Sequence, residues 1–388
     1  MLAADEGAYG WLGRAAKPVA LAFLFVAALA LAAQLARPYL VDFVSFWAAG
    51  SLVLDGNAAA AYDLDLHRAV EEQAVAVRGG MPFPYPPPFL ILAAPFASLP
   101  YVPALIAWVA VTFAVYALAL RQLAPRAGWI GGGFPPVMTN AIVGQTGFLM
   151  FGLLAGGLAL LPKRPLLAGV VLGLMVLKPQ LGLVLPFVLL AGREGRAFAG
   201  AAAGSGGLLL AGAAAFGLDS YAAWFGQAPL YAEIARAGLT GWHEMASAYA
   251  ALRLAGLGDS AALALHVLVA VAATAAACAV WHRTRATGAR AASLAAATAL
   301  ASPYLYGYDA ILLVLPFVWL AESARARPAL AIVWTLSLAS FLHIWTPGVP
   351  LSVAPLASIL LLALVCRRVW SEETGADFSR LSPSRALA

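Results

Sequence analysis

Long apolar runs dominate this chain and leave it few ways to fold. Residues 19–36 and 260–281 contain no acidic residue, lysine or arginine. Each run is about as long as the ~20 residues needed to cross a hydrocarbon core roughly 30 Å thick. Lipid offers no hydrogen-bond partners, so a spanning segment must pair its own backbone groups, as a helix does. The runs also lack the apolar–polar alternation of membrane barrel strands. The sequence therefore predicts an all-α integral membrane protein.

Composition and segment count agree with a polytopic membrane bundle. The chain has 388 residues, of which 63% are hydrophobic and 11% charged, whereas soluble domains carry about 25% charged residues. About twelve apolar stretches can be placed, some of them short. They cover residues 19–36, 100–121, 129–143, 145–161, 165–178, 180–192, 197–217, 260–281, 291–302, 308–321, 329–346 and 353–367.

The basic residues predict the orientation of the chain. Most of the 23 Lys and Arg residues fall in alternate connections if both termini are cytoplasmic, which is the bias expected of membrane proteins. That distribution also explains the net charge of +5 without a nucleic-acid partner. Two long loops, residues 37–86 and 218–259, then lie outside, and residues 1–388 form a single transmembrane domain. The basic residues of the cytoplasmic connections include Arg121, Arg126, Lys163, Arg164, Arg193, Arg196, Arg283 and Arg285.

Three pairs of apolar stretches are too short to be two full spans each. Every pair lies between two basic connections and holds about 25 to 30 apolar residues, where two spans need about 40. Their midpoints carry polar or helix-breaking residues at positions 140–147, 178–180 and 302–309. Irregular backbone at membrane depth is tolerated where protein or a water-filled cavity surrounds it. Three such turns on one side predict a cavity that opens to the outer face.

The outer loops contain elements of their own. Residues 42–54 have Phe43, Phe46, Trp47 and Gly50 at helical spacing, which predicts a helix with one apolar face lying at the membrane interface. A polar helix is expected over residues 63–77, before a Pro-rich run.

Asp42 follows the first predicted span among aromatic residues. A partly desolvated carboxylate at that position can have a raised pKa and take a proton from a hydroxyl group. The competing interpretation is an ordinary helix N-cap, since Asp is favoured there. Residue type and position alone leave both open.

Lys178 lies inside an apolar run, where a lysine costs about 2.5–3.5 kcal/mol on insertion scales. Pro179 interrupts the helix at this point, so the ammonium group can project into the cavity and bind a phosphate. The alternatives are snorkelling to the interface or a structural ion pair with Asp309. Asp309 itself can pair with Lys178, orient a sugar hydroxyl or cap the next half-helix.

Other polar residues give weaker signals. Asn140, Gln145 and Thr146 can bind a polar ligand or satisfy backbone groups freed by the broken helix. His243 and Glu244 could form an acid/base pair. Adjacent residues do not share a helix face, however, and their loop is expected to be exposed to water. No metal-ligand spacing, nucleophile elbow or nucleotide-binding glycine loop stands out, so neither a metal nor a cofactor is predicted.

Taken in order, the motifs resemble glycosyltransferase family 87. The N-terminal part contains Asp42-Phe-Val-Ser-Phe-Trp-Ala-Ala-Gly50, Asp55-Gly56, Ala61-Tyr62-Asp63, Tyr85-Pro-Pro-Pro-Phe89 and Ala94-Pro95-Phe96. Downstream motifs are Gly144-Gln145, Lys178-Pro179, Ser302-Pro303-Tyr304 and Tyr308-Asp309. The resemblance covers about residues 37 to 320. It rests on the order and spacing of short motifs.

The resemblance implies a GT-C type fold and a lipid-linked substrate. Members of the family transfer a sugar, typically mannose, from a polyprenyl-phosphate carrier to a glycan, glycolipid or polymer acceptor. The reaction takes place on the outer face of the membrane, here the periplasmic face of a bacterial cytoplasmic membrane, with lipid as the surrounding partner. Asp42 matches the general base of the first outer loop, and inversion at the anomeric carbon is expected. The expected donor-phosphate ligands are Lys178 and Arg37, and the expected sugar or acceptor ligands are Asp309, Tyr308, Tyr304, Tyr85, Gln145 and Asn140.

A transporter or flippase for lipid-linked sugars or small molecules is the alternative, because broken helices with a buried Lys–Asp pair suit it equally well. Such transporters normally carry detectable repeats of full-length spans, which this sequence lacks. An outer cavity closed to the cytoplasm favours transfer, while two alternately gated openings favour transport.

Overall fold

The computed structural model describes residues 9–75, 80–239, 241–323, 326–343 and 352–373, and these residues are almost entirely helical. An antiparallel bridge joins Met245 to Tyr306. The α-helices are α1 Tyr9–Ala36, α2 Phe43–Leu54, α3 Leu64–Ala74, α4 Phe89–Ala97, α5 Tyr101–Leu123, α6 Gly128–Gly132, α7 Pro135–Val143, α8 Gly147–Leu160, α9 Pro165–Gly173, α10 Leu185–Ala191, α11 Gly195–Arg236, α12 Ala248–Leu254, α13 Asp259–Arg283, α14 Thr287–Ala301, α15 Val314–Ala321, α16 Arg327–His343 and α17 Ala354–Glu373.

Five helices of the described ranges are long and apolar enough to cross a membrane: Leu12–Ala36, Tyr101–Leu123, Gly195–Arg236, Asp259–Arg283 and Ala354–Ser371. Their outward faces carry large apolar side chains that would be unfavourable in water. Leu24 is 60% exposed, Leu210 72% and Leu268 66%. Exposed leucines along several long helices need lipid as their solvent, so the chain is a multi-pass membrane protein.

The shortened pairs of helices occur where the sequence predicts them. Helices α7 and α8, of 9 and 14 residues, meet at a turn over residues 144–146. Helix α9 continues into the 3₁₀ turn Leu174–Leu177, and the turn Pro179–Leu181 precedes α10. Helix α14 ends at Ala301, and the turn Asp309–Leu313 leads into α15. The prediction of three broken pairs is confirmed.

Helix α2 differs from its prediction. It does not present a single apolar face, because eight of its twelve residues are buried and it packs closely against α4. A Cβ atom added at Gly50 would come within 2.6 Å of the Ala93 carbonyl oxygen. The helix is therefore packed within the protein over most of its surface, and a stripe with Trp47, Ser51 and Leu54 stays accessible. The segment predicted as the first outer loop thus begins with a largely buried helix.

The remainder of the predicted first outer loop is anchored by polar contacts. Asp63 caps α3 by accepting hydrogen bonds from the amides of Asp65 and Leu66. Buried Glu71 accepts the Met81 amide at 2.9 Å, which fixes the start of the Pro-rich segment. The polar helix predicted over residues 63–77 is therefore present as α3; residues 76–77 lie outside the described residues, as do residues 344–346 of the predicted span 329–346.

Helix α11 runs beyond the predicted span. The span prediction ended at residue 217, and Gly217 has non-helical backbone angles (φ 73°, ψ 165°) that divide the helix at this point. Residues 218–236, the first part of the predicted second outer loop, continue as a helix. Only glycine adopts such angles without strain, so the sequence marks the break itself.

Two connections carrying predicted cytoplasmic arginines meet at one end of the bundle. Arg290, at the start of α14, donates to Glu194 at 2.7 Å, and Arg285 lies 3.6 Å from the same carboxylate. Arg290 also donates to the carbonyls of Thr284 and Trp281. Helix α14 has 15 residues and is therefore about 22 Å long, so this end is separated from the turn that follows Ala301.

Candidate active site

Asp42 occupies the residue before α2 but does not cap that helix. Its side chain makes no hydrogen bond to the first amides of α2. Instead Oδ2 accepts a hydrogen bond of 2.9 Å from Nε2 of Gln145, 103 positions along the chain. The capping interpretation is therefore wrong in its geometry, and the carboxylate faces the turn between α7 and α8.

That turn is shaped by its glycines. Gly144 ends α7 in the left-handed conformation (φ 67°), and a Cβ there would come within 2.7 Å of Leu105 and 2.8 Å of Phe43. The turn can therefore press directly against the start of α2. Gln145 Oε1 accepts from the Tyr85 hydroxyl and from the Thr146 amide, both at 2.9 Å. With its oxygen held on that side, the amide nitrogen of Gln145 must point toward Asp42.

Lys178 projects from the break between the two 3₁₀ turns and is 3% exposed. Its Nζ lies 2.7 and 2.8 Å from the two carboxylate oxygens of Asp309, 131 positions away. The same nitrogen lies 3.5 Å from Thr146 Oγ1 and 4.7 Å from the centre of the Tyr308 ring. The predicted ion pair is therefore present, and an aromatic face adds to its stabilisation.

Asp309 is held by the loop that precedes it. Oδ2 accepts the Tyr306 amide at 3.3 Å. Asn140 donates its side-chain amide to the carbonyls of Tyr308, at 2.8 Å, and Pro136, at 2.9 Å. Asn140 and Asp309 are both fully buried. Helix α7 thus fixes the backbone on which Asp309 is mounted.

These contacts join four distant segments into one polar cluster. From Asp42 the hydrogen bonds run to Gln145, through its neighbour Thr146 to Lys178, and on to Asp309. The cluster borders a cavity of about 70 Å³. The lining of this cavity consists of Pro84, Tyr85, Pro86, Leu177, Lys178, Pro179, Gln180, Tyr306 and Tyr308.

The sequence of the chain matches the family model of glycosyltransferase family 87 over residues 83–303, more than half of its length. The chain belongs to glycosyltransferase family 87. It matches no curated protein and no solved structure. Membership confirms the predicted all-α, multi-pass GT-C architecture and makes the protein a membrane glycosyltransferase, with a sugar donor and an acceptor as its partners. It also favours transfer over transport.

The residues predicted for the glycosyltransferase site are not all brought together. Asp42, Lys178, Asp309, Gln145 and Tyr85 share the cluster. Tyr308 covers Lys178 with its ring.

Three other predicted residues are placed differently. Arg37 is exposed just after the end of α1. Tyr304 packs 6.2 Å from the ring of Tyr249, near the N-terminus of α13. Asn140 is buried and donates both of its side-chain hydrogen bonds to backbone carbonyls, so its amide nitrogen holds the loop, while its Oδ1 atom has no hydrogen-bond partner among the described residues.

Glu244 lies in the site region, although its adjacency to His243 and its expected exposure in a loop did not favour a site there. Partial burial and the negative charge of Asp42 raise the pKa of the Glu244 carboxyl to about 7. The Glu244 carbonyl accepts the Gly307 amide at 2.8 Å, which fixes this residue beside the loop that carries Asp309. No sequence pattern signals this, because it depends on a pairing between residues 244–246 and 305–307 that forms only in the folded protein.

The electrostatics of Asp42 suit a base. Burial raises the pKa of its carboxyl above the ordinary value, and the hydrogen bond from Gln145 and the charge of Lys178 partly oppose that rise. A raised pKa makes the carboxylate a stronger proton acceptor. Among the described residues no group of three or more His, Cys, Asp or Glu side chains is arranged to hold a metal ion.

A second, apolar cavity adjoins the polar one. It measures about 440 Å³ and lies between the α9–α10 segment and α11. Pro179 lines both cavities, and Val176 and Leu183 lie on either side of it in the apolar one. Leu183 and Phe187 are 51% and 57% exposed on the lipid-facing surface, so the groove opens toward lipid.

Proposed function

We propose that this glycosyltransferase moves a sugar, in the simplest case mannose, from a polyprenyl-phosphate carrier to an acceptor hydroxyl with inversion at the anomeric carbon. The reaction takes place at the periplasmic face of a bacterial cytoplasmic membrane. One observation carries the proposal: a carboxylate and a buried cation share one hydrogen-bonded cluster beside an apolar groove. A lipid-linked sugar phosphate needs those three features together.

Asp42 is the proposed general base. A carboxylate offers about four lone-pair sites, so the hydrogen bond from Gln145 leaves room for an acceptor hydroxyl. As the acceptor oxygen bonds to the anomeric carbon, its proton passes to Asp42, and the bond between that carbon and the phosphate oxygen breaks. The carrier leaves as a polyprenyl phosphate. A single displacement converts a β-linked donor into an α-glycoside.

Lys178 is the proposed ligand of the donor phosphate. An ammonium group has three N–H donors, and the distance of 3.5 Å to Thr146 is too long to engage one firmly. A phosphate oxygen can take that position while Asp309 keeps the other contacts and holds the cation in place. The ammonium group then stabilises the negative charge that develops on the leaving phosphate, in a site from which water is excluded. Because Arg37 is exposed and outside the cluster, the proposed phosphate site rests on Lys178.

The apolar cavity is the proposed binding site for the first isoprene units of the carrier. Its lining is almost wholly aliphatic or aromatic, and it meets the phosphate site at Pro179. Each buried CH₂ of a tail contributes about 0.8 kcal/mol, so a few isoprene units suffice to anchor the donor.

Radiolabel transfer tests the proposal. The purified protein, reconstituted in vesicles, is given polyprenyl-phosphate donors carrying different labelled hexoses and pentoses, and the label reaching membrane glycans is measured. We expect transfer from at least one lipid donor and none from the matching sugar nucleotides. Asp42→Asn in the same vesicles provides the background. Transfer from a sugar nucleotide without lipid-linked sugar contradicts the proposal.

A further inference from the structure

The segment from Gly241 to Ser247 in the second outer loop is held rigidly. Gly241 has a left-handed φ of 73°, and its carbonyl accepts the Glu244 amide at 3.0 Å. Trp242 donates its indole N–H to the Ala235 carbonyl at 2.9 Å. Ser247 caps α12 through the Ala250 amide. A loop tied at both ends in this way presents its side chains in one fixed arrangement.

Backbone pairing brings this segment to the active site. The Glu244 carbonyl accepts the Gly307 amide at 2.8 Å, and the Ala246 amide donates to the Leu305 carbonyl at 2.7 Å. Tyr306, opposite Met245, donates its own amide to Asp309. Glu244 is thus attached to the same short loop that positions the Lys178–Asp309 pair.

The side chain of Glu244 is accessible from the aqueous side. It is 47% exposed, whereas Lys178 and Asp309 are buried. Nε2 of His243 lies 3.9 Å from its carboxylate, and the His343 ring stands edge-on to His243 at 6.3 Å. An exposed carboxylate and a partly exposed imidazole, backed by the buried His343, therefore lie beside the loop that carries Asp309.

We propose that Glu244 and His243 form the acceptor subsite and bind the hydroxyl groups of an incoming neutral saccharide, holding one hydroxyl within reach of Asp42. Carboxylates accept hydrogen bonds from hydroxyls, and imidazole both donates and accepts them. Lys178, buried beside Asp309, binds the donor phosphate instead, so the two substrates use different groups of the site.

This inference rests on the proposed function, and direct binding separates the two. Binding of methyl hexosides to the purified protein is measured by NMR titration, without any donor. Initial rates with the best lipid-phosphate donor and the same hexosides are measured in parallel. The variant is Glu244→Gln, which keeps the backbone pairing and the side-chain volume. Glu233→Gln is the matched control, because Glu233 is an outer-loop glutamate that is 63% exposed and pairs with Arg236.

The assays are run at pH 8, where a carboxyl group with a pKa of about 7 is mostly ionised. For Glu244→Gln we expect the Kd and acceptor KM of the preferred hexoside to rise about tenfold or more, since hydrogen bonds to charged groups contribute about 1.5–3 kcal/mol. The donor KM and kcat at saturating acceptor stay within about twofold. His243→Asn gives a smaller rise, and Glu233→Gln gives none. Melting temperatures confirm that all variants fold.

Three results overturn the inference. One is hexoside binding equal in Glu244→Gln and Glu233→Gln, and another is failure of every hexoside to bind the wild-type protein. The third is a fall in kcat with unchanged acceptor KM, which assigns Glu244 to the chemistry at Asp42. Hexoside binding that depends on Glu244, without transfer from any lipid donor, supports the subsite and contradicts only the proposed function.

Discussion

Two cation–carboxylate pairs with buried cations lie at different ends of the bundle and differ in their contacts. Arg290 donates to Glu194 and to the carbonyls of Thr284 and Trp281 at 2.6–2.8 Å, and its Cζ atom lies 4.9 Å from the centre of the Trp281 ring. Lys178 reaches Asp309 and makes one long contact with Thr146, beside a cavity. Arg290, with its short hydrogen bonds made within the protein, joins the connection that contains Glu194 to the one that contains Thr284. The partly satisfied lysine retains capacity for a ligand, which is how a functional buried charge differs from a structural one.

The largest effect is expected at Asp42, the carboxylate that Gln145 and Thr146 connect to Lys178. Asp42→Asn keeps the shape of the side chain and removes its basicity. We expect turnover to fall by about 10²- to 10⁴-fold, which is the usual contribution of a general base. The melting temperature should stay within a degree or two, because the Asp42 side chain does not cap α2. Wild-type turnover in a stably folded Asp42→Asn protein contradicts the assignment.

Arg290→Ala tests the structural role of the Arg290–Glu194 pair at the other end of the bundle. Removing the buried guanidinium leaves Glu194, which is 15% exposed, with only the longer contact to Arg285, and should cost about 3 kcal/mol of stability. The turnover of the protein that remains folded should not change, because the length of α14 separates this pair from the turn that leads to Asp309. Thermal denaturation and active-site-normalised rates in detergent provide the two measurements. An unchanged melting temperature with a large loss of turnover would contradict the structural role and make Arg290 a functional residue.

Substitution of Lys178 should raise the KM for the lipid-phosphate donor selectively. For Lys178→Ala we expect the KM for lipid-phosphate donor to rise about 10- to 150-fold, the value of a hydrogen bond to a charged group, and Lys178→Arg to lose less. Lys178→Ala also leaves Asp309 buried without its cation. The double variant Lys178→Met with Asp309→Asn removes both charges and separates the two effects. Restored stability with normal donor KM in that double variant would make the pair purely structural.

Gln145 should shift the pH dependence of the reaction. Its hydrogen bond lowers the pKa of Asp42 against the rise caused by burial. A base must be ionised, so activity falls as pH decreases through the pKa of Asp42. In Gln145→Leu that pKa rises further, and the acidic limb of kcat/KM against pH should move to higher pH by about one unit or less. A limb that stays in place shows that Asp42 does not set it.

The sequence predicts the span architecture well, because run length and charge bias in a membrane are nearly sufficient constraints. Shortened pairs around Gly144, Lys178 and Ser302 follow from the same reasoning. The burial of α2 was not predictable, since an apolar helix face looks the same whether protein or lipid covers it.

Some residues of the candidate site could likewise be predicted from the sequence, and others could not. Lys178 and Asp309 are conspicuous because charge in an apolar run is costly. The contact between Gln145 and Asp42 and the docking of Glu244 beside residues 305–307 depend on tertiary pairing across more than 60 residues. Neither hydrophobic periodicity nor residue spacing encodes such pairing. Asn140 was noticed as polar, but its backbone partner Tyr308 could be found only from the fold.

The most direct test of the account is the anomeric configuration of the product. A β-linked polyprenyl-phosphate sugar is supplied to the wild-type protein with a hexoside acceptor, and the configuration of the new glycosidic bond is read from its one-bond carbon–hydrogen coupling by NMR. A single displacement with Asp42 as base predicts an α-glycoside. A β-glycoside would require a second displacement on an enzyme nucleophile, and would contradict the role assigned here to Asp42.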